Sequence, residues 1–435
     1  MTWPSHQLSR GAFESLAAGG GPRDVLRTLT AAQYSRHLWL LRGVLATVEQ
    51  GGRDHALRVR RAFALLTAAE KENAAVGRSV ISHPAVGAWA LHTVRASRGG
   101  PSAPGAEPGW LSGVAAAAAI RSGLPADIEV AVVGGTLMLP SLGAVRIPAS
   151  SAIVRATGEA TEIISGDSRL RLPAGSGPGP AGWLPLRRIS LGPGGVLVDD
   201  VDPFRMPAVT DVSARLGESE LDDWEQVFQE TWSLLLRHHP AMAQAVAQLI
   251  RVIVPLERPS EGERSSSSPE TFGAIALSRP RNATSLAVTL IHELQHLKLS
   301  AVIDLVTLTR PDDGRRYYAP WRDDPRPASS LLQGAYAYLG ISGFWRRHRH
   351  VAQEEYHLRA HAEFVRCRAA AALVTATLAA TGQLTEDGAS FVRGMARTLH
   401  DWRDETVPAE AQRLARREAD EHRARWIQAH GQVPT

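Results

Sequence analysis

The feature that most constrains the fold is a set of polar residues inside an apolar stretch. Residues 292–296 read His-Glu-Leu-Gln-His, with SLAVTLI before them and LKLSAVIDLV after them. On a helix, His292 and His296 lie on one face, one turn apart, so both imidazoles can bind one metal ion. Two imidazoles and the Glu293 carboxylate cost free energy in an apolar environment unless they are paired or metallated. The pattern predicts a long helix over residues 283–309 with a metal site, and a satisfied pair of core histidines is the alternative.

Two histidines do not complete a metal site. Zinc peptidases add a third protein ligand and use the glutamate of the motif as a general base, whereas non-haem iron oxygenases use a facial triad with open positions. The Gly-then-His continuation of metzincins is absent after His296, and Asp304 would lie about 12 Å further along a continuous helix. A third ligand is therefore expected on a later helix, where the candidates are Glu354, Glu355, His357, His361 and Glu363.

Apolar spacing predicts an α+β fold that is mainly α-helical. We expect an N-terminal helical region at 1–125, a β-rich region at 126–215, and a helical domain at 216–435 that carries the metal site. In the first region, helices should cover 1–98 and 111–124, with a loop at 99–109.

The other two regions carry their own signals. Residues 128–133 and 136–139 read as strands, and Gly134-Gly135 between them predicts a hairpin. Further strands are expected at 152–156, 161–164 and 272–278. Flexible turns or loops are expected at 173–182 and 257–270. The apolar spacing predicts helices over 219–253, from about Ser329 to His348, and then to the end of the chain.

Composition excludes several classes of protein. Apolar residues make up 44% of the chain and charged residues 21%, so a core can form and wholesale disorder is excluded. The single cysteine, Cys367, excludes a disulfide scaffold and a cysteine-based zinc site. The net charge is only +4, and no basic stripe interleaves with aromatics, so nucleic-acid binding is not expected. No stretch of 18 apolar residues and no leader pattern is found, so we expect a soluble, cytoplasmic protein without a membrane partner.

A second cluster follows the HExxH motif. Residues 316–327 read RYYAPWRDDPRP, which combines aromatic, basic and acidic side chains in one loop. Such a loop fits a binding role in which an arginine holds a carboxylate, and a rigid connector with Arg–Asp pairs is the alternative. Gln333 lies near the start of the next predicted helix and could point toward the HExxH helix.

Three segments resemble one family. HPAVGAWA, HELQHLKLSAVIDL and YYAPWRDDPRPASSLLQGAYAYLGISGFWRR are similar to the HExxH-motif peptide-modification proteins of actinobacteria, and the resemblance runs from about residue 20 to about residue 400. These proteins are encoded with, or fused to, radical-SAM maturases of ribosomally made peptides (RiPPs). Members have been assigned as iron(II)- and 2-oxoglutarate-dependent peptide β-hydroxylases, so the resemblance implies a dioxygenase that hydroxylates a precursor peptide.

The resemblance also implies roles for individual residues. His292 and His296 would bind iron(II), Arg322 or Arg326 would hold the distal carboxylate of 2-oxoglutarate, and Glu293 would orient a ligand. More distant members have a histidine at the position of Gln333, so that the third ligand is Gln333 itself or one of Glu363, His361 and His357. A precursor peptide is the implied substrate, with a radical-SAM maturase as a further partner. The residues alone leave two other interpretations, a zinc metallopeptidase with Glu293 as base and a binding protein with a degenerate metal site.

Overall fold

The structure is a computed structural model that describes residues 6–48, 52–173 and 179–432. Helices dominate both ends of the chain and strands dominate the middle, so the predicted α+β, mainly helical fold is confirmed. No helix among the described residues has the length and apolar character needed to cross a membrane. Part of the turn predicted at 173–182 lies outside the described residues.

The helices carry the numbers α1 to α13 in chain order. Their bounds are α1 Arg10–Ala17, α2 Arg23–Thr47, α3 Arg53–Glu72, α4 Ala74–Ile81, α5 Pro84–Ser97, α6 Leu111–Ser122, α7 Glu218–His238, α8 Pro240–Leu249, α9 Ala283–Ile303, α10 Ala328–His348, α11 Glu354–Ala380, α12 Glu386–Asp401 and α13 Ala409–His430.

The strands carry the numbers β1 to β12. Their bounds are β1 Ala126–Ala131, β2 Thr136–Leu139, β3 Gly143–Arg146, β4 Ser151–Ala156, β5 Thr161–Ser165, β6 Ser168–Leu172, β7 Trp183–Pro185, β8 Arg187–Ile189, β9 Val196–Val198, β10 Val252–Pro255, β11 Ser265–Ser266 and β12 Ala274–Leu277.

The described chain divides into two compact units, each built from separated segments. The first unit comprises the described residues of Met1–Thr30, Val227–Leu249 and Pro280–Thr435. The second comprises those of Ala31–Gln226 and Ile250–Arg279. The three consecutive regions predicted at 1–125, 126–215 and 216–435 describe the order of segments along the sequence, and they stay a prediction.

In the first unit, α10 lies at the centre. It packs against α9 on one side and α11 on the other, and its apolar side chains, including Tyr336 and Phe344, are buried. Two glycines of α10 allow this close packing. A Cβ built at Gly340 would lie 2.5 Å from the Gln295 side chain of α9, and one built at Gly334 would lie 2.5 Å from the ring of Trp321. The HExxH motif lies on α9, so its position depends on the packing of α9 against α10.

The second unit contains three sheets. Their strand orders are β1-β4-β5-β6, β2-β3-β7 and β11-β12-β10-β9-β8. In the last of these, β9, β10 and β12 are parallel, with Ile253 of β10 opposite Val198 on one side and Ile275 on the other. The alanine-rich α6 packs against β1 and β2, and Gly113 permits this because a Cβ there would lie 2.3 Å from the Met138 carbonyl oxygen.

The hairpin predicted at Gly134-Gly135 is wrong as a strand pairing. Both glycines have positive φ, 58° and 72°, so a tight turn does form, but only Val133 and Thr136 bridge across it. β1 pairs with β4 and β2 pairs with β3, in different sheets. The two strands also differ in burial, since Val130 is the one buried residue of β1 whereas three of the four residues of β2 are buried.

The helix predicted over 219–253 is also wrong at its end. α7 and α8 are followed by β10, whose Val-Ile-Val-Pro sequence is β-branched and fully buried, and parallel pairing on both sides fixes it as a strand. The helix predicted over 283–309 ends earlier, at Ile303, with Asp304 in the capping position. The predicted strand at 272–278 is confirmed as β12, and the predicted helix near Ser329–His348 is confirmed as α10.

Candidate metal centre

The HExxH motif lies in α9, which begins at a strong capping residue. The Asn282 side chain accepts a hydrogen bond from the Ser285 backbone N–H and so starts the helix. Apolar side chains then bury the helix along nearly its whole length. Every polar residue in its middle turns therefore needs a specific partner.

Two of these polar residues hold the N-terminal segment of the unit. The buried Lys298 ammonium donates to the Gly19 and Gly20 carbonyl oxygens at 2.8 and 2.7 Å, and the Gln295 amide donates to Gly19 at 3.3 Å. Burial lowers the pKa of Lys298 to about 7. These two side chains thus have a structural role and are not part of the candidate metal centre.

The two histidines face each other. The Nε2 atoms of His292 and His296 lie 3.0 Å apart, which is hydrogen-bond distance, and the ring planes are 77° apart. Two imidazole nitrogens bound to one metal at about 2.1 Å each stand about 3.0–3.4 Å apart for coordination angles of about 90–109°. Burial, and then the proximity of His296, lowers the pKa of His292 to about 4. The His292 imidazole is therefore neutral at physiological pH, as a metal ligand must be.

Gln333, at the start of α10, contacts the outer side of His296. Its Oε1 atom lies 3.1 Å from His296 Nδ1. An amide oxygen there accepts the Nδ1 proton, which fixes the tautomer that leaves Nε2 free for a metal. In this arrangement Gln333 orients a ligand, and its role as a ligand itself stays a prediction.

The residues expected to supply a third ligand are either paired with other side chains or exposed. Both carboxylate oxygens of Glu363 pair with arginines, Arg359 and Arg366. His361 Nδ1 lies 3.4 Å from the Arg349 guanidinium, and its ring packs edge-on against His357 at 4.7 Å. Glu354 and Glu355 lie exposed in the first turn of α11.

Arg322 and Arg326 share one carboxylate. Their Nε atoms lie 2.9 and 3.0 Å from the two oxygens of Asp324. The loop that carries them is anchored by Trp321, which stacks on Tyr338 with ring centroids 4.4 Å apart and contacts Gly334, the neighbour of Gln333. The loop is therefore attached to the same turn of α10 that reaches His296, and both arginines are partly exposed.

Glu293, which lies between the two histidines on α9, is 1% exposed. In this side-chain arrangement, however, the described residues provide no third His, Cys, Asp or Glu ligand atom within 4.8 Å of both histidines. One group does meet that criterion in the part of the chain that the structure describes: His83, Asp199 and Asp202, all in the second unit. Sequence analysis missed it, although a histidine before Pro84 and an Asp-Asp-Val-Asp run after a strand were visible.

No family model and no curated protein matches this chain. The assignment of function therefore depends on the residues themselves and on the resemblance carried by the three segments. The first unit has a groove of about 740 Å³ between α11 and α12, which is edged by Arg368, Arg393 and Arg403. Neither His292 nor His296 lines this groove.

Proposed function

We propose that the chain is an iron(II)- and 2-oxoglutarate-dependent β-hydroxylase of a ribosomally made precursor peptide. The observation that carries the proposal is the 3.0 Å separation of the His292 and His296 Nε2 atoms, with Gln333 at His296 Nδ1. It supports a metal at this pair. The resemblance of the HELQH and YYAPWRDDPRP segments supports iron and 2-oxoglutarate as the occupants. The proposal places the reaction in the cytoplasm, together with a radical-SAM maturase of the same peptide.

The residues of the pair fit a metal because their Nε2 atoms lie 3.0 Å apart with the ring planes at 77°, so both nitrogens can reach one ion. His292 and His296 would hold the ion, and Gln333 would keep His296 in the required tautomer. Iron with 2-oxoglutarate as co-substrate and dioxygen as oxidant would supply the chemistry that hydroxylates an unactivated carbon, with succinate and carbon dioxide as co-products. The apolar surface of α9 keeps water from the buried side of the histidine pair.

An arginine clamp is the second requirement. Arg322 and Arg326 would bind the distal carboxylate of 2-oxoglutarate, and Asp324 holds both guanidinium groups in one place. The carboxylate of the ligand would share or replace that pairing, because a guanidinium can bind two carboxylates through different N–H groups.

The test is an anaerobic titration of metal-free protein with iron(II) and then 2-oxoglutarate. We expect the visible iron-to-ketoacid charge-transfer band, its loss in His292→Ala and His296→Ala, and a weaker band in Arg322→Ala. His400→Ala, which removes an exposed histidine from α12, is the matched control and should keep the band.

Two outcomes would overturn the proposal. One tightly bound zinc per chain at the pair, no charge-transfer band, and peptide cleavage abolished by Glu293→Gln would establish the metallopeptidase. No metal of either kind at the pair would leave a binding protein with a degenerate site.

A further inference from the structure

The second unit contains a buried cluster that the proposed function does not use. His83, Asp199 and Asp202 are 3%, 0% and 0% exposed, and one ligand atom from each lies within 4.8 Å of the other two. We propose that this cluster is a second metal site, which binds a divalent transition-metal ion of the zinc class and stabilises the fold. The inference does not depend on the proposed function, because no residue of the histidine pair takes part.

The two aspartates are prepared by the turn that follows β9. Asp199 Oδ1 accepts hydrogen bonds from the Asp202 and Val201 backbone N–H groups at 2.9 and 3.3 Å. Asp202 Oδ1 accepts from the Phe204 N–H at 2.8 Å. Each carboxylate thus uses one oxygen to shape the turn, while its Oδ2 atom is buried without a hydrogen-bond partner among the described residues.

His83 completes the cluster. It lies in extended backbone directly before Pro84, the first residue of α5, and its side chain does not cap that helix. Both ring nitrogens are buried and lack a hydrogen-bond partner among the described residues. A neutral imidazole carries one donor and one acceptor, and leaving both unsatisfied costs about 1–3 kcal/mol each. A metal bound to one nitrogen removes part of that cost.

Asp200 shows that this segment can satisfy a buried carboxylate by other means. It is 5% exposed, but it pairs with Arg187 and Arg215 and accepts from the Leu216 N–H. The nearby Arg205 guanidinium is directed elsewhere, since its Nη atoms donate to the Asp202 and Ser213 carbonyl oxygens. Asp199 and Asp202, by contrast, each keep one buried Oδ2 atom without a partner among the described residues.

Charge balance favours a dication. Two carboxylates and one neutral imidazole around a divalent ion sum to zero, which is the combination that burial penalises least. Without an ion, burial lowers the pKa of His83 to about 3, raises that of Asp199 to about 6 and raises that of Asp202 as well; a bound cation would offset the cost of charging the two carboxylates. An imidazole among carboxylates suits zinc, iron or manganese better than magnesium or calcium.

Burial also indicates what the ion does. A catalytic metal keeps a position open to substrate, whereas a structural metal is enclosed, and all three ligands here are buried. The ion would connect the start of α5 to the turn after β9. Because those segments are far apart in sequence, the connection restricts the unfolded chain and stabilises the folded one.

The experiment uses the full-length His292→Ala/His296→Ala protein, in which the histidine pair can no longer bind metal. After treatment with a chelator, it is titrated with zinc or cobalt(II), and the bound metal is counted by mass spectrometry. We expect one ion per chain, no ion after Asp199→Asn or Asp202→Asn, and a rise in melting temperature with zinc that these two variants lack. His92→Gln is the matched control, since His92 is also a buried histidine of α5 but both its ring nitrogens have partners.

A second readout covers the case in which the aspartate variants do not fold. X-ray absorption of the zinc-loaded parent should show nitrogen and oxygen donors with one imidazole. No bound ion in the parent, an ion that survives both aspartate changes, or a spectrum with more than one imidazole would each overturn the inference. The inference would also be overturned if, with zinc present, Asp202→Asn were as stable as the parent. That result would indicate that the two aspartates share a proton and bind no ion.

Discussion

Replacing Gly340 by alanine tests the packing that sets α9 against α10. The new Cβ would lie 2.5 Å from the Cγ and Nε2 atoms of Gln295, well inside contact distance. Relief of this overlap requires Gln295 to move, and overpacking of this kind costs about 1–3 kcal/mol. The hydrogen bond from Gln295 to the Gly19 carbonyl oxygen would be lost as well, at about 0.5–1.5 kcal/mol. Alanine regains about 0.5–1 kcal/mol over glycine inside a helix, which leaves a net destabilisation of about 0.5–4 kcal/mol.

Gly343→Ala on the same helix is the matched control. Its Cβ would have only ordinary contacts, with Trp402 at 3.4 Å and Met242 at 3.6 Å, so we expect it to be neutral or to stabilise by up to about 1 kcal/mol. Urea denaturation followed by circular dichroism compares the two variants, and hydrogen exchange of α9 and α10 locates the effect. Adding Gln295→Ala to Gly340→Ala should recover part of the loss. Equal stability of Gly340→Ala and Gly343→Ala, or no recovery, would refute the reasoning.

Three further predictions follow from single contacts. The folded-state pKa of Lys298, about 7, lies below the unfolded value of about 10.4, so the cost of burying its charge is full below pH 7 and is removed as pH rises toward 10. Between pH 7 and pH 10, the free energy of unfolding of the wild type, relative to that of Lys298→Met, should therefore increase by up to about 5 kcal/mol. Urea denaturation at both pH values measures this difference, and an unchanged difference would contradict the prediction. Gln333→Leu should weaken iron(II) or zinc binding at the histidine pair about 10- to 100-fold in a competition titration, with Gln333→Glu retaining affinity. Arg349→Ala removes a buried partner of Glu405 and should lower the free energy of unfolding, measured by urea denaturation, by about 3 kcal/mol. Arg346→Ala removes the more exposed partner of the same carboxylate and should lower it by less than about 1 kcal/mol.

The elements that could be predicted are those whose signal is local. α9 and α10 follow from apolar spacing, and α7 ends at His238, directly before the turn into α8 at Pro240. The strand pairings could not be predicted in this way, because a glycine pair fixes a turn but not its neighbours. β1 takes β4 as its partner across an intervening pair of strands. The same limit explains β10, whose strand conformation is fixed by β9 and β12, which lie on either side of it in the sheet but are far from it in sequence.

The candidate metal centre was predictable to the same extent. Spacing alone places His292 and His296 on one face of a helix, and the facing Nε2 atoms agree with it. The contact of Gln333 with His296 depends on how α10 packs on α9, which spacing does not specify. The pairing of Glu363 with Arg359 and Arg366 was predictable, because these residues lie four positions before and three after it on α11.

The His83 cluster is distinguished from other polar residues of the core because its unpartnered buried atoms lie close together. Lys298 is buried in α9, but its ammonium donates to the carbonyl oxygens of residues 19 and 20. The Gln295 amide also donates to residue 19, although its Oε1 atom is buried without a partner among the described residues. Asp200 is explained in the same way by its two arginines. His83 and its two aspartates have no such explanation among the described residues, since four of their polar atoms are buried without a partner. The carboxylate of Asp200 is fully paired, whereas His83, Asp199 and Asp202 keep unpartnered buried atoms and offer ligand atoms within 4.8 Å of one another. This convergence is the observation that supports the proposed ion.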